Sequence, residues 1–308
     1  MKKNIFIFPG QGSQNFGMGK DFYDNDALAR EMIDKASQRL DLDFTKLLFE
    51  ENDRLELTEF TQPAILLVST VAHALFIKSY KEAPLMALGH SLGEFSALSA
   101  VGAIDYLDAV ELVHKRGLFM KEACENINAG MMALIGLSDD KVEDITTAQR
   151  ELGKKVWAAN YNCDGQIVVA GDKDDLASLE NTFKEEGAKR ALLLNMSVAS
   201  HCPLLQSAIA PLGEYLNNFI KDDFLAPVVS NVTANLYSSK KEALELLSNQ
   251  LIKPVKYKQS IENVEANADR FIEFGATVLK GLNRRSTKKP TLCITDMESL
   301  EKVLSELS

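Results

Sequence analysis

Apolar residues fall in two alternating rhythms along this chain. Runs of four or five consecutive apolar positions, too short for helices, alternate with longer stretches whose apolar residues recur every three or four positions. That alternation predicts buried parallel strands joined by helices, an α/β fold. Residues 4–8 predict the first strand, which Pro9 and Gly10 end. Helices are predicted over 27–40 and, opened by Thr61, Gln62 and Pro63, from 64 to about 80. The run LMAL at 85–88 predicts a central strand buried on both faces, with helices over 94–100 and 105–120 after it. Between 126 and 198 the rhythm changes. Strands are predicted over 130–135, 155–160, 166–170 and 189–195, helices over 139–151 and 172–186, and a hairpin turn at 161–165. The order β-α-β-β-α-β is ferredoxin-like. It is expected as a lid of residues 126–198 inserted into a core formed by 1–125 and 199–308, with a cleft at the junction. The α/β rhythm then returns, with helices over 204–219, 240–251, 260–267, 277–282 and 297–307 and strands over 228–231 and 271–274.

Chemistry gathers at the turns. Gly89-His90-Ser91-Leu92-Gly93 lies between the central strand and a helix. A sharp strand-to-helix turn of this G-x-S-x-G form exposes a serine hydroxyl beside free helical N–H groups, which suits a nucleophile and an oxyanion. The other reading is a glycine-rich turn with an N-capping serine. Gln11, confined between Gly10 and Gly12 at the end of the first strand, sits at the sheet edge where ligands collect in open parallel sheets. His201, in the loop before the 204–219 helix, reads locally as a helix-end residue or as a base; a serine nucleophile requires a base of its pKa. Arg116, placed near a helix end, reads as dipole compensation unless the substrate carries an anion. His73, inside an apolar helix, reads as a satisfied structural histidine.

Composition narrows the classes. A net charge of -10 argues against nucleic-acid binding. Four scattered cysteines with no C-x-x-C point to a reduced, cytoplasmic protein. The apolar run 5–8 is too short for a signal peptide, and no stretch is expected to span a membrane. No metal-ligand spacing or dinucleotide fingerprint is present.

The segments FPGQGSQ (8–14), TQPA (61–64), GHSLGEFSAL (89–98), KRG (115–117), GQIVVAG (165–171), GAKR (187–190), SHC (200–202) and PV (254–255) run in this order along nearly the whole chain. With them the sequence resembles the malonyl-CoA:acyl carrier protein transacylases of type II fatty-acid synthesis. The resemblance implies an α/β-hydrolase-like core with an inserted ferredoxin-like subdomain. It implies Ser91 as the acylated nucleophile and His201 as its base. Gln11 and the Leu92 backbone N–H would form the oxyanion hole, and Arg116 would pair with the malonyl carboxylate. Gln250 would orient the histidine through its carbonyl, and Asn162 would belong to the pocket. The implied substrates are malonyl-CoA and acyl carrier protein, with no metal or redox cofactor and a monomeric enzyme. Three departures touch loops: Asn162-Cys163-Asp164-Gly165-Gln166 for N-x-P-G-Q, Tyr257 for a tryptophan, and a segment at 275–279 one residue short. A serine esterase or thioesterase would share Ser91 and His201 but not need Arg116. A non-catalytic acyl-protein binding module would need neither.

Overall fold

Every residue of β1 (Asn4–Phe8) is buried, because the strand runs through the middle of a six-stranded sheet. The computed structural model describes residues 3–196 and 198–307. Met1, Lys2, Ser308 and Ser197, the last at the expected return from the insert, lie outside the described residues. The other strands of this sheet are β2 (Met86–Gly89), β7 (Val228–Val229), β8 (Leu236–Tyr237), β9 (Arg270–Phe274) and β10 (Thr291–Ile294). Their order is β10-β9-β1-β2-β7-β8, parallel except for the antiparallel edge strand β8. Neither the two-residue β8 nor β10 is among the strands expected from the pattern, each being too short to set a rhythm of its own.

The second sheet contains β3 (Ala129–Ile135), β4 (Val156–Cys163), β5 (Gln166–Asp172) and β6 (Arg190–Leu193). Its order is β4-β5-β3-β6 with every pair antiparallel, the ferredoxin-like topology expected. Two details differ from expectation. The hairpin turn is tighter than 161–165: Tyr161, Asn162 and Cys163 continue β4, and only Asp164 and Gly165 turn, with Gly165 at φ 65°. The expected helix 172–186 is two helices, Lys173–Ser178 and Glu180–Glu185. They meet at Leu179, whose N–H bonds to Leu176 three residues back.

The small sheet is fastened to the large one at several points. Lys258 bridges Asp139 (2.9 Å) and Asp164 (3.0 Å). Val255 exchanges backbone hydrogen bonds with Ala159 and Tyr161 on β4. The helix Thr58–Ser79 starts six residues earlier than expected, which places Pro63 inside it. A proline has no N–H to give the Glu59 carbonyl, and His114 Nδ1–H occupies that carbonyl instead at 2.7 Å. Contrary to the expectation that no stretch could span a membrane, this helix passes on length and apolarity, with 22 residues and mean hydropathy 1.6. It is apolar on all sides because it is buried on nearly all sides, 83% of the window lying inside the protein. His73 on this helix is structural, packed edge-on against Phe6 and Phe274. It is not satisfied, however: its Nε2 lacks a partner, and burial lowers its pKa to about 4, keeping the ring neutral.

Candidate active site

The parallel register pairs Phe8 with Gly89, so the strand ends leading to Gln11 and to Ser91 lie side by side. The approach leaves no room for side chains. A Cβ on Gly93 would meet the Phe8 carbonyl oxygen at 2.2 Å, and one on Gly89 would meet the Gly93 carbonyl carbon at 2.0 Å. Between them Ser91 adopts φ 53°, a left-handed conformation that costs a serine about 1–2 kcal/mol. The helix Gly93–Ala100 starts directly beyond it.

Ser91 Oγ lies 2.8 Å from His201 Nε2. His201 Nδ1 lies 2.7 Å from the Gln250 carbonyl oxygen. A carbonyl only accepts, so Nδ1 carries the proton, and Nε2 is left with the lone pair that accepts a hydrogen bond from the Ser91 hydroxyl. His201 is itself left-handed (φ 60°) and 2% exposed. Burial, then the nearby Arg116 charge, lower its pKa to about 3 despite the bond to Gln250, so the resting imidazole is neutral.

Arg116 corrects its helix-end reading. It lies in the middle of the helix Tyr106–Cys124 and is 1% exposed. Its Nη1 donates to Gln62 Oε1 (2.6 Å), and its Nη2 to Gln250 Oε1 (3.1 Å) and Ser91 Oγ (3.2 Å). All three acceptors are neutral, so the cation is held by hydrogen bonds without a contacting counter-ion. Burial lowers its pKa to about 10, which still leaves it charged at neutral pH.

Gln11 Oε1 accepts from Thr58 Oγ1 at 2.8 Å, leaving its amide N–H groups for other partners. The Leu92 N–H stands at the start of the elbow helix. The carbonyl three residues before it, Gly89, is taken by Asn231 Nδ2 at 2.7 Å. Gln11, Ser91, Leu92, Arg116, Asn162 and His201 all border one cavity of about 250 Å3, whose lining also includes the apolar Met120, Met131 and Val168. Gln250 lies behind His201, fully buried. Asn162 borders the cavity beside His90, its Oδ1 lying 2.7 Å from His90 Nε2.

Sequence reasoning missed four residues that the fold brings here. Gln62 holds Arg116. His90 holds Asn162. Asn231 Oδ1 accepts from the Ser91 N–H at 2.7 Å. Glu94 lies sealed beneath the elbow, and burial raises its pKa to about 7. His90 and Glu94 stand inside GHSLGEFSAL (89–98) and Gln62 inside TQPA, so those motifs were the available signal. Asn231 had none.

Comparison with known proteins agrees with this geometry. Residues 5–291 match the acyl transferase domain family. The chain is 37% identical to the malonyl CoA-acyl carrier protein transacylase of Bacillus subtilis, over 100% of this chain and 98% of that protein. Its structure superimposes on malonyl-CoA:acyl carrier protein transacylase from Helicobacter pylori with TM-score 0.96 and 45% identity, covering 100% and 99% of the two chains. It superimposes at TM-score 0.94 and 32% identity on a malonyl-transacylase solved in complex with a type II PKS acyl-carrier protein, covering 99% and 100%. A half-buried serine hydroxyl at a strained turn, a carbonyl-held histidine and a buried cation in one inter-sheet cleft therefore accompany relatedness along the whole chain: it belongs to the acyl transferase domain family, among the malonyl-CoA:acyl carrier protein transacylases.

Proposed function

We propose that this protein transfers a malonyl group from malonyl-CoA to the phosphopantetheine thiol of acyl carrier protein, through a malonyl ester on Ser91. The observation that carries this reading is the position of Arg116 Nη2, 3.2 Å from the hydroxyl that His201 activates. A malonyl group on Ser91 has its carboxylate two carbons from the acyl carbonyl, within reach of that guanidinium.

In the first half-reaction Ser91 Oγ attacks the thioester carbonyl while His201 Nε2 takes its proton. The developing oxyanion is met by the Leu92 N–H and the Gln11 side-chain amide. The C–S bond breaks, and CoA leaves with the proton that His201 returns. In the second half-reaction the carrier-protein thiol gives its proton to His201 and attacks the ester. The C–O bond breaks and Ser91 recovers a proton. Kinetics are ping-pong. Gln250 holds the imidazole throughout, and Asn162 bounds the pocket beside His90. Residues 126–198 form the lid over this chemistry, carried by the core of 1–125 and 199–308. The reaction supplies fatty-acid synthesis in the cytoplasm, and the enzyme acts as a monomer.

Incubation with radiolabelled malonyl-CoA, followed by mapping of the label, tests this. The transferase reading expects a stable label on Ser91 that acyl carrier protein discharges. Rapid release of free malonate would make the protein a hydrolase, and absence of label a binding module.

A further inference from the structure

Beneath the elbow lies a carboxylate that the mechanism above does not use. Glu94 is 1% exposed, and three donors converge on it. Its Oε2 accepts from the Asn231 backbone N–H (3.0 Å) and Gln250 Nε2 (2.8 Å), and its Oε1 accepts from the Tyr237 hydroxyl (3.0 Å). It makes no contact with the cavity. Its two amide-bearing partners hold the nucleophile's peptide from opposite sides. Asn231 Oδ1 accepts from the Ser91 N–H (2.7 Å), and its Nδ2 donates to Gly89 (2.7 Å). Gln250 Nε2 also donates to the Ser91 carbonyl (3.1 Å), while its Oε1 receives Arg116 (3.1 Å) and its backbone carbonyl holds His201 (2.7 Å).

We propose that Glu94 is a positioning residue for acyl transfer, its carboxylate fixing Asn231 and Gln250 and through them the Ser91 turn and the His201 base. The proposal rests on the reading of Ser91 and His201 as nucleophile and base. Two facts argue for more than general support. First, Ser91 sits at φ 53°, a conformation that persists only where surrounding contacts over-determine it. The bonds to both its N–H and its carbonyl come from side chains that Glu94 anchors. Second, three donors facing one side chain suit its ionised, acceptor-only form, which prevails above the pKa of about 7 to which burial raises it, and charge-assisted bonds are about twice as strong as neutral ones. An amide would keep the shape of the anchor and lose much of its strength.

The test is Glu94→Gln, nearly isosteric, with two readouts on protein whose folded fraction is checked by circular dichroism. The first is the single-turnover rate of Ser91 acylation by malonyl-CoA. It is expected to fall roughly tenfold, with KM for malonyl-CoA within about twofold, because Arg116 keeps its shortest bond, to Gln62, and the cavity lining is unchanged. The second is phosphonylation of Ser91 by a fluorophosphonate, which needs the nucleophile and its base but no malonyl selectivity. It is expected to slow in parallel. Glu94→Ala, where it folds, is expected to be slower than Glu94→Gln in both assays. A Glu94→Gln enzyme that phosphonylates and acylates at wild-type rates would overturn the proposal, as would a loss expressed in KM alone. Wild-type protein that phosphonylates at Ser91 but takes no malonyl group would refute the malonyl reading instead, leaving the phosphonylation comparison to decide on Glu94.

Discussion

Arg116→Ala separates malonyl selectivity from catalysis in general. In the empty site the guanidinium spends its bonds on Gln62, Gln250 and Ser91, all neutral, and one N–H, on Nε, has no partner. A bound malonyl carboxylate would be the first anion to touch it. A hydrogen bond to a charged group contributes about 1.5–3 kcal/mol net. At about 1.4 kcal/mol per decade, losing even one such bond in the transition state lowers malonyl kcat/KM about tenfold to a hundredfold. Losing a two-pronged clamp lowers it further. Acetyl-CoA has no group for the guanidinium, so its kcat/KM is retained or rises when the charge is removed. Arg116→Lys is expected to restore only part of the malonyl activity, since an ammonium cannot hold two carboxylate oxygens in one plane. Removing a buried cation also leaves Gln62 Oε1 and Gln250 Oε1 without their donor, and some protein will fail to fold. The decisive quantity is therefore the ratio of kcat/KM for malonyl-CoA to that for acetyl-CoA, which does not depend on the folded fraction. An unchanged ratio in Arg116→Ala would refute the assignment and move the carboxylate site to another residue.

Gln62→Glu, a nearly isosteric change, would supply Arg116 with an internal anion, and malonyl kcat/KM should fall while acetyl activity holds; steady-state kinetics with both substrates check this. Ser91→Gly and Ser91→Ala should both lack acyl-enzyme by mass spectrometry, but the glycine variant should be more stable by up to about 1 kcal/mol, because φ 53° strains alanine and not glycine. His73 stays neutral in the fold down to about pH 4 but takes a proton near pH 6.5 once unfolded. Its contribution is therefore intact above 6.5 and is lost at about 1.4 kcal/mol per pH unit below it, and denaturant titrations across that range should show wild type losing ground to His73→Met. Lys280, Arg284, Lys288 and Lys289 surround a surface cavity, whereas Lys258 is occupied with Asp139 and Asp164. Arg284→Glu with Lys288→Glu should raise KM for the acidic carrier protein and leave KM for malonyl-CoA nearly unchanged.

Local pattern was enough for most of the architecture. A strand buried on both faces writes itself as a continuous apolar run, as at 5–8, and an amphipathic helix as a recurring stripe, as at 27–40. Both signals are complete within about a dozen residues. The elbow was legible for the same reason, since its two glycines and its serine lie within five positions of one another. What the sequence could not determine was which distant residues meet. Ser91 and His201 are 110 positions apart, Arg116 and Gln250 are 134, and Ser91 and Asn231 are 140. No periodicity spans those separations, so motif resemblance supplied Ser91, His201 and Gln250 but gave no hint of Asn231. The case of Arg116 shows the limit most clearly. Its neighbours in sequence place it near a glycine on an ordinary polar-and-apolar helix, where an arginine belongs on the surface. Its burial is decided by the helix Thr58–Ser79 packing across that face and by Gln62 and Gln250 arriving from elsewhere as acceptors. Burial without a contacting anion among the described residues is what would leave this arginine available to a carboxylate, and that is a property of three chain segments together, not of any one of them.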